Sequence, residues 1–128
     1  MALILVISPD WRTRALLAAQ LCETCGCDTI SAPGSDEALS LLNIMGVRPV
    51  LVVIDTGGVQ GEIGKAEIER LLTVLSETPA VLIGSVFQRT MLEQLKTQRA
   101  TCLIRPVSIG MIAETARRLL EGKTPVQT

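Results

Sequence analysis

The residue best placed to do chemistry is Asp55, the acid that closes the apolar run Val50-Leu51-Val52-Val53-Ile54. An acid at that position is not there for packing alone. In open α/β sheets, ligands and chemistry sit beyond the carboxyl ends of the strands, and Thr56-Gly57-Gly58 open a glycine-rich loop directly after Asp55. Those glycines match neither GxGxxG nor a P-loop, so they give weak support to a nucleotide site. A second constellation is Cys22-x-x-Cys25-Gly-Cys27. A redox CxxC sits at a helix N-terminus, where the dipole lowers the thiol pKa, whereas this one falls at the predicted end of a helix. With no histidine in the chain and the fourth cysteine, Cys102, far away in sequence, a metal site is not expected there.

The elements that must carry Asp55 can be read in order. Leu3 to Ile7 is an apolar strand, and Ser8-Pro9-Asp10 reads as a helix start, with Ser8 as N-cap, Pro9 at the first helical position and Asp10 facing the positive end of the dipole. That helix should run to about Thr24, with Leu16, Leu17, Ala19, Leu21 and Cys22 as its apolar face and Gly26 as its stop. Asp28 to Ala32 is a second strand. Ser35 is expected to cap a second helix with Ala38, Leu39, Leu41, Leu42 and Met45 inward and Gly46 at its end.

After the Asp55 strand, the loop Thr56 to Gly64 should be mobile or need unusual backbone angles. A third helix carries Ile68, Leu71, Leu72 and Leu75. Ala80 to Ser85 is the fourth strand, Phe87, Met91, Leu92 and Leu95 mark the fourth helix, and Thr101 to Ile104 is the last strand. Ser108 caps a final helix that runs through Leu120. Val and Ile dominate the Asp55 strand, as in strands covered on both faces of a parallel sheet. Five βα units with short loops and right-handed crossovers give a doubly wound five-stranded parallel α/β sheet.

Bulk properties bound the function. The 128 residues suit one domain, 1–122, followed by a polar tail or linker start at 123–128. Apolar residues make up 48% of the chain, yet its aromatic residues are only Trp11 and Phe87, so the core must be aliphatic. A net charge of −1 leaves no basic footprint for nucleic acid. No apolar run reaches the roughly 18 residues of a membrane span, and MALILVIS has neither the basic flank nor the cleavage pattern of a signal peptide. Four cysteines suit a reducing compartment, so the expected location is cytoplasmic.

The five βα units, the acid ending the third strand and the basic-Pro pair ending the fifth together resemble the receiver domain of response regulators, the CheY-like fold. The likeness covers Leu3 to about Gly122 and is carried most strongly by Gly26, Ala32, Glu37-Ala38-Leu39 and Leu42, which fall on the family's G…A…EAL..L pattern. It implies a strand order 2-1-3-4-5, Asp55 as the phosphate-accepting aspartate, and Arg105-Pro106 in place of the family's Lys-Pro. It also implies departures. Where the family has two adjacent acids that help to hold magnesium, this chain has Ser8-Pro9, with Asp10 one place late.

Asp10 and Asp55 are then the carboxylates left for a metal, and magnesium binding is expected to be severely weakened. The family's Ser or Thr after the fourth strand is Gly84, with Ser85 as a neighbour that a bulge could bring into place. The loop Pro is Val59, and the aromatic switch position is Cys102. Arg105 should pair with Asp55 at rest, because a guanidinium clamps a carboxylate through parallel bonds. Arg12 could also reach the Asp55 pocket.

The expected function is that of an atypical receiver, or pseudo-receiver, in two-component phosphorelay signalling. It would act by contact with a histidine kinase or output protein, have no enzymatic turnover and no cofactor, and accept phosphate weakly or not at all. A working phosphoacceptor with a reorganised acidic site is the alternative within the family, and a small flavodoxin-like enzyme or cofactor binder is the alternative outside it. Mixed charge on the fourth and fifth helices, with Arg117 and Arg118 beside Glu114 and Glu121, suggests a homodimer through the fourth helix, fifth strand and fifth helix.

Overall fold

A computed structural model describes residues 2–58, 61–96 and 99–122. Five short strands, β1 (Leu3–Ile7), β2 (Asp28–Ala32), β3 (Leu51–Asp55), β4 (Ala80–Gly84) and β5 (Ala100–Ile104), form one parallel sheet in the order β2-β1-β3-β4-β5. The helices α1 (Trp11–Cys25), α2 (Ser35–Met45), α3 (Lys65–Val74), α4 (Arg89–Leu95) and α5 (Ile109–Leu120) connect them. This is the expected doubly wound arrangement, with the expected strand order. The three central strands are fully buried, as their unbroken Val, Ile and Leu runs require of strands covered on both faces. None of the described helices is long and apolar enough to cross a membrane.

Side-chain alternation splits the core into two layers. Leu5, Ile7, Val52, Ile54 and Leu82 point toward α2, α3 and α4, whereas Ile4, Val6, Val53, Val81 and Ile83 point toward α1 and α5. Left-handed glycines end the first two helices, Gly26 at φ 66° and Gly46 at φ 65°. In the loop after β3, Gly57–Gly58 pairs antiparallel with Gly61–Glu62, and the positive-φ glycines among the described residues lie elsewhere. Val59 and the segment 123–128 lie outside the described residues.

Several local expectations are corrected. Asp10, not Ser8, caps α1, which begins at Trp11, because the Ser8 side chain is drawn inward. Gly34, not Ser35, is the N-cap of α2, and the Ser35 N–H donates instead to Glu67 Oε2 at 2.9 Å. The inward residues of α1 are Leu17 and Leu21, whereas Leu16 is 58% exposed and Ala19 and Cys22 also face outward. A helix packed on a sheet and against α5 needs only a narrow stripe, so Leu16, Ala19 and Cys22 stay outside while Ala18 and Cys25 are partly buried at its margin. Met45 is likewise exposed. Phe87 is 94% exposed because it sits in a 3-10 turn, Val86–Gln88, that precedes α4.

This division of α1 is testable by substitution. Leu17→Ala should cost about 2–5 kcal/mol, whereas Leu16→Ala should stay within about 0.5 kcal/mol of the parent. Urea unfolding of both variants checks it.

Candidate functional site

Parallel pairing of β1 with β3 sets Ile7 beside Ile54, so the next residues, Ser8 and Asp55, meet at the carboxyl end of the sheet. Both are buried, Asp55 at 1% exposure. Ser8 Oγ donates to Asp55 Oδ2 at 2.7 Å. From the other side, beyond β5, Arg105 Nη1 donates to Asp55 Oδ1 at 2.8 Å and to the Gly57 carbonyl at 3.2 Å. The Gly57 N–H makes a long contact of 3.4 Å with Oδ1. Each carboxylate oxygen therefore already holds a donor, and the buried charge is neutralised by a guanidinium whose own side chain keeps 34% exposure.

The other residues singled out in the sequence are placed as follows. Asp10 is turned away from Asp55: its Oδ1 accepts from the Arg12 N–H and its Oδ2 from Thr13 Oγ1, both at 3.1 Å. Arg12 lies over the exposed Trp11 ring, 5.4 Å from its centroid, and not in the Asp55 pocket. Ser85 is the N-cap of the 3-10 turn, its N–H donating to Gln88 Oε1 at 2.9 Å, and it makes no hydrogen bond to Asp55. Arg105 alone among the expected supporting residues reaches the carboxylate.

Sequence reasoning missed Ser8 as a site residue, and also Thr56 and Gln88. Thr56 is fully buried and donates from Oγ1 to the Ile83 carbonyl at 2.8 Å, with Gln88 Oε1 at 3.2 Å. Gln88 Nε2 returns to the Thr56 carbonyl at 3.3 Å. A Cβ built on Gly84 would lie 2.8 Å from Gln88 Oε1, 2.8 Å from Leu92 Cδ1 and 2.9 Å from Thr56 Oγ1. The place from which a Ser or Thr hydroxyl would project is therefore filled by the Gln88 amide and the Thr56 hydroxyl. The signal for Ser8 was present: it ends its apolar run as Asp55 ends the neighbouring one.

On β5, Cys102 Sγ donates to the Leu92 carbonyl at 3.3 Å and borders a groove of about 440 Å³ with Val86, Arg89, Glu93 and Arg105. Burial, with help from Glu93, pushes its thiol pKa up. At the opposite end of the sheet, burial and then the neighbouring Cys27 push the Cys25 thiol up to about 11, so neither cysteine offers a thiolate near neutral pH. The described residues contain no group of three or more side chains of metal-ligating type.

Magnesium is the ion that such a site would take. It needs carboxylate oxygens that it can share with water, whereas here Asp55 stands alone with a guanidinium on one oxygen and a hydroxyl proton on the other. A dication at Asp55 would face Arg105 at close range. The donor set does not fit the ion.

No protein-family model and no curated protein matches the chain. Solved structures do. The chain is similar to NtrX from Brucella abortus, with 26% identity and a TM-score of 0.76, over 95% of this chain and 27% of that one. It is also similar to the separate receiver domain of NtrX from Brucella abortus, at 24% identity and TM-score 0.73, covering 92% and 98% of the two chains. A two-component response regulator from Clostridium difficile aligns at 18% identity and TM-score 0.74, over 94% and 97%. The chain thus has the receiver-domain fold of two-component response regulators and spans about a quarter of the NtrX chain.

A double-mutant cycle checks the central pair. Arg105→Met should lower stability by about 2–4 kcal/mol, less than for a wholly buried pair because Arg105 is partly in water. In an Asp55→Asn background the same change should cost less by about 1–3 kcal/mol. Urea unfolding of the four proteins gives the coupling.

Proposed function

We propose that the chain is an atypical receiver module of two-component signalling that works through protein contacts, with Asp55 accepting phosphate slowly or not at all. The observation that carries this reading is the state of the Asp55 carboxylate, held by Ser8 on Oδ2 and by Arg105 on Oδ1. Phosphoryl transfer to a carboxylate needs a free oxygen in line with phosphorus and cations on the equatorial oxygens. Here the local cation sits on the acceptor itself, and the acid that would anchor a metal is the Ser8 hydroxyl.

The same contacts support a module resting in a single state. In a phosphorylated acyl site, a cation and a hydroxyl gather around the new anion. Arg105 and Ser8 already gather around the carboxylate, so β1, β3 and the end of β5 are tied together without it. Cys102 is too small to swing as an aromatic ring would, and it is fixed to Leu92 O. The output is then the constant shape of the surface, read by a histidine kinase or an output protein in the cytoplasm.

The α4, β5 and α5 side, with Phe87 and Val86 exposed at the head of α4, is the face we assign to that partner. A symmetric contact between copies through it would draw on Arg117 and Arg118. Arg117 is already held by Glu114 and Glu121, and Arg118 Nε lies 3.3 Å from Glu114.

The test is incubation with a small phosphodonor and magnesium, followed by intact mass. The parent should gain little or no phosphoryl mass over a time in which an ordinary receiver is labelled. A rapid, magnesium-dependent gain that disappears in Asp55→Asn would show a working phosphoacceptor and overturn the reading.

A further inference from the structure

The outward side of α1 has a pattern that neither the core nor the Asp55 site uses. Arg12, Leu16, Ala19 and Glu23 are all exposed and fall at 4-3-4 spacing, which places them along one stripe of the helix. Ala15 and Cys22, also exposed, flank it. Among the described residues, neither Arg12 nor Glu23 is in an ion pair. The stripe thus has a base at its first turn, an acid at its last and a large and a small apolar residue between them.

That order is its own complement when reversed. We propose that α1 pairs antiparallel with α1 of a second copy about a two-fold axis. Arg12 then faces Glu23 of the other copy at each end, and Leu16 packs onto the other copy's Ala19 twice at the centre. A two-fold contact repeats every pair. Small residues at the seam let the helix axes approach, and the Leu knobs fill the space that the alanines leave. A parallel pairing would instead set Arg12 against Arg12 and Glu23 against Glu23, so charge selects the antiparallel register. The stacked Trp11 lies at each end of the seam, where it can shield the Arg12–Glu23 pair from water.

Size sets the strength. A helix of this length is about 22 Å long, and one such seam buries less than the ~1,200 Å² of a standard stable interface. The contact is therefore a weak, reversible one that forms at high local concentration. It uses neither Ser8, Asp55 and Arg105 nor the residues of the α4, β5 and α5 face, so it is independent of the function proposed above.

Sedimentation velocity over a concentration series tests it with the purified chain. The parent should associate reversibly. Arg12→Glu and Glu23→Arg should each weaken association about tenfold, the equivalent of 1.4 kcal/mol, and the double reversal should restore it to within about threefold of the parent. Leu16→Glu should abolish it, with an unchanged melting temperature showing that the monomer is intact. A parent that stays monomeric at every concentration overturns the proposal, as does association that Leu16→Glu leaves unchanged. A double reversal no better than the single ones overturns the antiparallel register, and association lost only on Phe87→Ser places the contact on the other face.

Discussion

A negative charge at 1% exposure is the constraint around which this end of the molecule is built. An unpaired buried carboxylate would be tolerated only by neutralisation or by unfolding of its surroundings. Ser8 and Arg105 supply a proton donor and a counter-charge from opposite sides, one following the strand next to β3 and the other following the sheet edge. The result is a polar clasp across the carboxyl ends of the sheet, made of two short, charge-assisted bonds. Its geometry follows from the topology: in the order β2-β1-β3-β4-β5, β3 is central, so both flanks can reach its last residue.

A second polar knot lies beside the clasp and fixes the start of α4. Gln88 accepts from the Ser85 N–H and donates to the Thr56 carbonyl, with the Thr56 hydroxyl 3.2 Å from its Oε1, which binds the β3 loop to the turn after β4. It depends on the bare backbone of Gly84 and on that of Gly57, where a Cβ would lie 2.8 Å from Gln88 Nε2. A side chain that is longer by several bonds and rooted one turn further on thus occupies the volume that a short hydroxyl at position 84 would occupy. Arg105 takes part on the far side through its backbone N–H to the Gly84 carbonyl at 2.8 Å.

The sheet was legible from the sequence because its strands are short, continuous aliphatic runs, and alternation with capped helices leaves few topologies. Asp55 was legible for the same reason, as the one acid terminating a buried run. Less readable was anything decided by side-chain competition. Ser8 and Asp10 are both good N-caps, and only the presence of Asp55 across the sheet determines which of them turns inward. Leu16 and Leu17 are equivalent on composition, and the packing of α1 against α5 decides which is buried. Gln88 gave no signal, since its role depends on empty space at Gly84, one turn before it, and at Gly57, which is distant in sequence.

The placement of the two aromatic residues has an optical consequence. Trp11, the sole tryptophan, is 56% exposed with a guanidinium over its ring, Phe87 is 94% exposed, and there is no tyrosine. The aliphatic interior is therefore dark in the near ultraviolet, and melting it uncovers no buried chromophore. Intrinsic emission reports the surroundings at the head of α1, where it would register a neighbour docking on that helix.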